Sequence, residues 1–239
     1  MEVDHSRSRK LQWKIIYSVK RGFLLFFGPS LTLKIFLRTH WLLRRVTYEV
    51  AGIRYGDEFQ NLALGLSDDL LTSFIVPGET VADLGCGAGR WARASTKTAS
   101  QVFGIDTNPA AIIEGRTLGG DVQYLNIDLS TNLDQMPEVD LALMIHFLEH
   151  IANPSQLLNG LRQKTKRIII EVPDFEGDPL NYPRFWTGEP FYYDTDHVRE
   201  FTLTELVTLL ESTGWSTDHV SQKGGTLLIV AKRELTISV

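Results

Sequence analysis

The residues best placed to do chemistry are Gly85, Gly87 and Gly89, spaced G-x-G-x-G directly after the apolar run Thr80-Val81-Ala82-Asp83-Leu84. That run reads as a buried strand, and Arg90-Trp91 after the glycines as the start of a helix. Asp106 closes the next apolar run, Gln101-Val102-Phe103-Gly104-Ile105, one strand over. Glycines let backbone approach a ligand and a carboxylate there accepts ribose hydroxyls, so the chemistry is nucleotide binding. A dinucleotide fingerprint needs a third glycine where helix meets pyrophosphate, and Arg90 stands in its place. Asp83 would repel a pyrophosphate but suits a cationic amino group.

Further landmarks follow in order: Gly104-Ile105-Asp106, Asn126-Ile127-Asp128-Leu129, the run from Val139 through His146-Phe147-Leu148-Glu149-His150-Ile151, and Leu209-Leu210-Glu211-Ser212-Thr213-Gly214-Trp215. Together they resemble the class I S-adenosylmethionine (SAM) dependent methyltransferases across residues 55–233. The resemblance implies an α/β, doubly wound Rossmann-like seven-stranded sheet with its last strand antiparallel. It also implies SAM as cofactor, with S-adenosylhomocysteine as product. Asp83, Gly85, Cys86, Gly87 and Gly89 would surround the amino-acid tail, and Asp106 with Thr107 would meet the ribose. Asp128 and Leu129 match the adenine position, and Ile145 and His146 the end of the fourth strand under the methyl donor. Cys86 is expected as a small packed side chain rather than a thiol nucleophile. Arg54 and Tyr55 stand where a lid could close, with a packing role the equal alternative.

Methyl transfer to oxygen requires removal of the acceptor proton, a task for a base near neutral pKa. His197 is the first candidate, oriented by Asp194 or Asp196; the alternative is a histidine that only docks its segment onto the sheet. His146 is the second candidate. His150 resembles a family position that fixes the turn after the fourth strand. Glu171, Asp174, Asp194, Asp196 and His197 match no specific metal-ligand spacing, and no residue is assigned to a metal.

The fourth strand ends in Met144-Ile145-His146-Phe147 and lacks the Asp/Asn-Pro-Pro-Tyr/Phe run used on base or glutamine nitrogens. The segment 173–200 is rich in proline and aromatic residues, including Phe175, Tyr182, Phe185, Trp186, Phe191, Tyr192 and Tyr193, alongside carboxylates. Rings stack on sugar faces and carboxylates accept hydroxyls, so a substrate-side insert for a glycan or small-molecule acceptor is expected. Its Glu-x-Pro-Asp … Asp-x-Asp-His pattern is similar to methyltransferases of bacterial glycan and natural-product clusters. O-methylation of a sugar or glycan intermediate, with a lipid- or diphosphate-linked form in view, is the leading expectation. Methylation of a small natural product or quinone-like ring is the second. A SAM-binding scaffold without catalysis is the alternative of another class.

The 239-residue chain carries a net charge of −5, unevenly spread. Residues 1–54 hold eleven Lys/Arg against three acids, +8, and the remainder thirteen against twenty-six, −13. The acidic body argues against a nucleic-acid partner. The basic arm suits an anionic partner, such as a membrane surface met by residues 9–50. Lys10, Lys14 and Arg21 fall on one helical face, and Lys34, Arg38 and Arg45 repeat that geometry. The arm reads equally as a lid or a homodimer contact. Its longest uncharged stretch, residues 22–33, is twelve residues broken by Gly28-Pro29, too short to span a bilayer. With one cysteine and no segment built like a secretory signal, the expected place is cytoplasmic, at the inner membrane face.

These residues need a frame. Two helices are expected over 9–27 and 30–50, forming an arm or lid domain over 1–54. Residues 55–239 form the methyltransferase domain, with strands at 80–84, 101–105, 122–126, 139–145, 167–172, 216–222 and 226–232. Helices are expected near 57–75, 89–98, 109–117, 154–164 and 202–213, the last opened by a Thr202/Glu205 capping box.

Overall fold

The computed structural model describes residues 5–56, 59, 66–190 and 196–234, with side chains from residue 12 onward. Two compact units result, one formed by 1–54 with 179–195 and the other by 55–178 with 196–239.

In the larger unit, seven strands form one sheet: β1 (Thr80–Leu84), β2 (Gln101–Asp106), β3 (Val122–Asn126), β4 (Val139–Ile145), β5 (Thr165–Pro173), β6 (Trp215–Lys223) and β7 (Thr226–Arg233). Their order is β3-β2-β1-β4-β5-β7-β6. The first five pair in parallel, and β7 runs antiparallel to both β5 and β6. β4 and β5 are almost continuously buried, as expected for parallel strands covered on both faces. Chain order reverses between β1 and β4, so loops leaving their carboxyl ends diverge and open a crevice.

Helices cover both faces: α2 (Asp68–Phe74), α3 (Arg90–Ser95), α4 (Pro109–Thr117), α5 (Pro154–Leu161) and, after the smaller unit's α6 (Asn181–Thr187), α7 (Leu203–Ser212). Leu157, Leu158, Leu161, Leu206 and Leu210 pack with Trp215 on one face, and Leu71, Ala92 and Ala94 on the other. Trp215 is fully buried, and its Nε1 donates to the Leu158 carbonyl at 3.0 Å. Local chemistry sets the helix starts. Asn108 accepts from Ala110 N with Pro109 at the first position, and Asn153 accepts from Gln156 N ahead of Pro154. The Thr202/Glu205 capping box is complete in both directions. Two helices are shorter than expected. α3 begins only after Gly89, whose φ of 79° is left-handed, and α2 starts at Asp68 under a Ser67 cap. Most of the expected helix before it, residues 57, 58 and 60–65, lies outside the described residues.

The smaller unit holds α1 (His5–Tyr55), broken at Gly28, where φ is 70° and ψ 173°. The Phe23 and Phe36 rings lie 5.4 Å apart. Thirteen residues of straight helix would separate them by about 20 Å, so the two arms fold back on each other. α6 joins this hairpin. Arg184, 1% exposed, meets His40 Nδ1 at 2.7 Å, and Arg38 Nε donates to Glu189 at 2.5 Å. The insert is therefore partly helical rather than a loop. Pro183 sits in the first turn of α6, where a missing N–H breaks no bond, and Gly188 in left-handed conformation ends it. Over Gln12–Tyr55, one 18-residue window reaches a mean hydropathy of 1.2 with no more than two charges. This segment is long and apolar enough to cross a bilayer by length and composition only, and the Gly28 break divides it into two arms.

Candidate active site

The glycine turn after β1 is built from three left-handed residues, Gly85, Gly87 and Gly89, with φ of 71°, 53° and 79°. Gly85 N and Cys86 N both donate to the Ile105 carbonyl, at 2.8 and 3.0 Å, tying the turn to β2. Asp106 completes the tie: Oδ2 accepts from Gly87 N and Oδ1 from Asn108 N, each at 2.7 Å. Each oxygen keeps a second lone pair, so Asp106 remains able to accept from a ribose.

The three glycines have different reasons to be glycine. A methyl group at Gly85 would strike the Phe147 ring, and one at Gly89 would strike the Tyr124 hydroxyl. At Gly87 nothing lies within 4 Å. Gly87, held by Asp106, thus faces open space, whereas Gly85 and Gly89 answer to packing. Tyr124, absent from the sequence reading, also crowds Gly104 and Gly115 and explains both.

Asp83 is 1% exposed and accepts from Ala92 N at 2.9 Å, holding the first turn of α3. Burial pushes its carboxyl up to about 7, against the Ala92 N–H, and the charge of Asp106 adds to the rise. A cation beside it would restore its ionised form. Burial also pushes the Cys86 thiol up, with Asp83 and Asp106 adding to the effect, which suits packing and not nucleophilic attack. Thr107 is exposed. Asp128 is exposed and folded onto its own turn, Oδ1 accepting from Ser130 N at 2.9 Å and from the Ser130 hydroxyl at 2.5 Å. Those bonds hold its carboxyl below the usual range. Leu129 is buried in the core and lines a cleft of about 320 Å³ with Ile151, Asn153 and Gln156.

At the end of β4, Ile145 is buried and His146 turns the chain with φ of 51°, the single non-glycine residue in that region among the described residues. Such strain at a sheet's carboxyl edge marks a position held by its surroundings. His146 N donates to the Glu171 carbonyl at 2.8 Å, and its Nδ1 lies 3.4 Å from Glu149 Oε1. Burial would lower the imidazole's pKa. The Glu149 hydrogen bond and the charges of Glu171 and Glu149 outweigh that and leave it raised.

The 3-10 turn Leu148–His150 then receives the segment after the insert. The Glu149 carbonyl accepts from Val198 N at 3.1 Å and Arg199 N at 3.3 Å. His150 Nδ1 lies 3.3 Å from the Asp196 carbonyl, and the His150 and His197 rings meet edge to face with centroids 4.9 Å apart. Asp196 reaches His150 through its backbone, and the carboxylate on His197 Nδ1 is Glu200, at 3.2 Å. Three residues on, Glu200 comes back to the ring. Asp194, Tyr192, Tyr193 and Phe191 lie outside the described residues. Glu171 and Asp174 are engaged elsewhere, Glu171 accepting from Leu66 N and Asp174 from Glu176 N and Gln222 Nε2.

The structure therefore gathers His146, Glu149, His150 and His197. The sequence reading named two of them as catalytic and missed Glu149 and Glu200. The signal available was the His146-x-x-Glu149-His150 spacing at a strand end.

A family model described as a methyltransferase domain matches residues 58–220. The chain belongs to this methyltransferase-domain family. A ubiquinone biosynthesis O-methyltransferase of Pseudomonas entomophila is 32% identical over 94 residues, covering 37% of this chain and 40% of that protein. The chain thus matches about two fifths of the length of such curated relatives. Among solved structures, a SAM-dependent methyltransferase of Methanosarcina mazei superposes with a TM-score of 0.58 at 20% identity, over 72% of this chain and all of that one. The magnesium protoporphyrin IX methyltransferase of Synechocystis, solved with S-adenosylhomocysteine, gives 0.55 at 15% identity, over 80% of this chain and all of that one. At such identities the likeness concerns the fold. The methyltransferase fold places the glycine turn, Asp106 and the β4 histidines on one carboxyl edge.

Proposed function

We propose that the chain is a SAM-dependent O-methyltransferase of a hydroxylated acceptor, a sugar or glycan intermediate carried on a lipid. The observation that carries this reading is the histidine and carboxylate group at the end of β4, one strand from the Gly87 turn held by Asp106. SAM supplies an activated methyl group. Gly87 and Asp83 serve its amino-acid tail, Asp106 and Thr107 its ribose, and Asp128 with Leu129 its adenine. Ile145 and His146 form the floor. His197, held by Glu200, removes the acceptor proton, with His146 the second imidazole within the group.

The smaller unit supports a lipid-linked acceptor. Phe185 and Trp186 are 66% and 73% exposed on α6. At the tip of the α1 hairpin, Leu25 and Phe26 are 76% and 87% exposed. Lys20 and Arg21 flank this tip on one arm and Lys34 on the other. Six residues per arm reach about 9 Å, within the depth to which interfacial helices insert. The basic flanks then lie at anionic head groups, on the cytoplasmic membrane face. Flotation with anionic liposomes checks this, and failure to float at low salt removes the membrane from the proposal. Sedimentation separates it from a homodimer contact made by the same apolar surface.

The curated O-methyltransferase relatives favour a second acceptor, a quinone-like ring. Purified protein with labelled SAM, offered lipid-linked sugars, glycans and catechols in parallel, decides by mass of product. Binding of SAM with no methylated product from any acceptor leaves only a non-catalytic scaffold. His197→Ala is expected to retain SAM and lose turnover.

A further inference from the structure

The geometry points to a divalent transition-metal site formed by Glu149, His150 and His197. One ligand atom from each of these residues lies within 4.8 Å of the other two. Tetrahedral zinc with bonds of about 2.1 Å separates its ligands by about 3.4 Å, so small side-chain rotations close the site.

Three observations converge on a cation. Glu149 is fully buried; His146 Nδ1 faces its Oε1 at 3.4 Å, and neither oxygen has a partner in good hydrogen-bond geometry. A buried carboxylate so placed is costly unless a positive group faces it. Both histidines, in addition, are held at Nδ1 by an oxygen. His150 Nδ1 sits on the Asp196 carbonyl, and His197 Nδ1 on Glu200. A carbonyl can only accept, so Nδ1 of His150 carries the proton and Nε2 a lone pair. The Glu200 carboxylate likewise accepts from Nδ1 of His197. This backing of the far ring nitrogen by a carbonyl or carboxylate is how proteins orient metal-bound imidazoles. Finally, three protein ligands leave a position open, the arrangement of catalytic rather than structural sites.

Two imidazoles and one carboxylate suit zinc, manganese, iron or cobalt, and suit magnesium or calcium poorly. The role of the cation rests on the O-methyltransferase reading; its binding does not. An acceptor hydroxyl at the open position would be acidified. Its O–H bond breaks, the electron pair stays on oxygen beside the cation, and the proton leaves to solvent water. His197 would then act as a ligand, and the metal would take over the task of a base.

The test uses the full chain, stripped with a chelator and titrated with Mn2+, Zn2+ and Co2+ by calorimetry, with metal content read by mass spectrometry. One equivalent per chain is expected. Glu149→Gln, which keeps shape, should weaken binding at least tenfold, as should Glu200→Gln acting through His197. SAM affinity, measured on the same samples, should stay within about twofold and certifies folding. Absence of a stoichiometric site in wild type, or unchanged affinity in Glu149→Gln, overturns the inference. Methyl transfer at full rate in chelator also overturns it while leaving the O-methyltransferase reading intact. Stoichiometric metal without any methylated product supports the site and sinks only that reading.

Discussion

Replacing Gly89 and Gly87 separately by alanine tests which glycine of the turn serves packing and which serves the ligand. Both have positive φ, 79° and 53°, so alanine meets about 1–2 kcal/mol of left-handed strain at either position. At Gly87 the added methyl finds no atom within 4 Å, and the cost ends there. At Gly89 it overlaps the Tyr124 hydroxyl and lies 2.7 and 2.8 Å from two ring carbons. The ring has little room to move, because the Gly104 and Gly115 backbones already crowd it. Overpacking of this kind adds about 1–3 kcal/mol, for a total of about 2–5 kcal/mol. At about 2–4 °C per kcal/mol for a chain of this size, Gly89→Ala lowers Tm by about 10 °C and Gly87→Ala by about 4 °C. Thermal unfolding followed by circular dichroism reads the difference. SAM affinity, measured well below both transitions, should fall mainly in Gly87→Ala. Tyr124→Leu in the Gly89→Ala background should recover part of the lost stability, a coupling that Gly87→Ala lacks. Equal Tm values for the two single variants, or no coupling to Tyr124, would refute this assignment.

Asp140 gives a pH dependence. Its carboxyl is held down to about 2 by Lys166 first and then by Thr80 N–H, so it adds stability above its ordinary value of 3.8 and loses it as pH falls toward 2. Solvent screening of the exposed Lys166 limits the contribution to about 1 kcal/mol. Urea titrations of Asp140→Asn against wild type should show a gap at pH 6 that closes between pH 4 and 2; a constant gap contradicts the account. Cys86 should react slowly with thiol reagents at pH 8, and Cys86→Ala should keep its turnover; rapid modification would show an activated thiol instead. Thr202→Ala, which removes the α7 cap, should lower stability by about 1 kcal/mol in denaturant, and an unchanged midpoint would discount the capping box.

The sequence by itself determined the seven strands, their alternation with helices, and the cofactor edge. Each of these rests on signals confined to a few neighbouring residues. Val81 through Leu84 form an unbroken buried run, Pro109 and Pro154 mark first turns, and Thr202 and Glu205 cap each other across one turn. A short apolar run or a cap three residues long is local, and it survives without knowledge of the fold. Only the tertiary structure decided what each side chain faces. Gly89 meets Tyr124 from thirty-five positions away, which no spacing reveals. Phe23 reaches Phe36 because Gly28 lets the helix turn back, and exposed Phe26 then becomes a tip. Glu149 and His150 lie more than forty residues before His197, yet backbone bonds from Val198 and Arg199 to the Glu149 carbonyl bring them together. Glu200, three residues on, then meets His197 Nδ1. Local patterns place residues on an edge; long-range packing chooses which of them share a site.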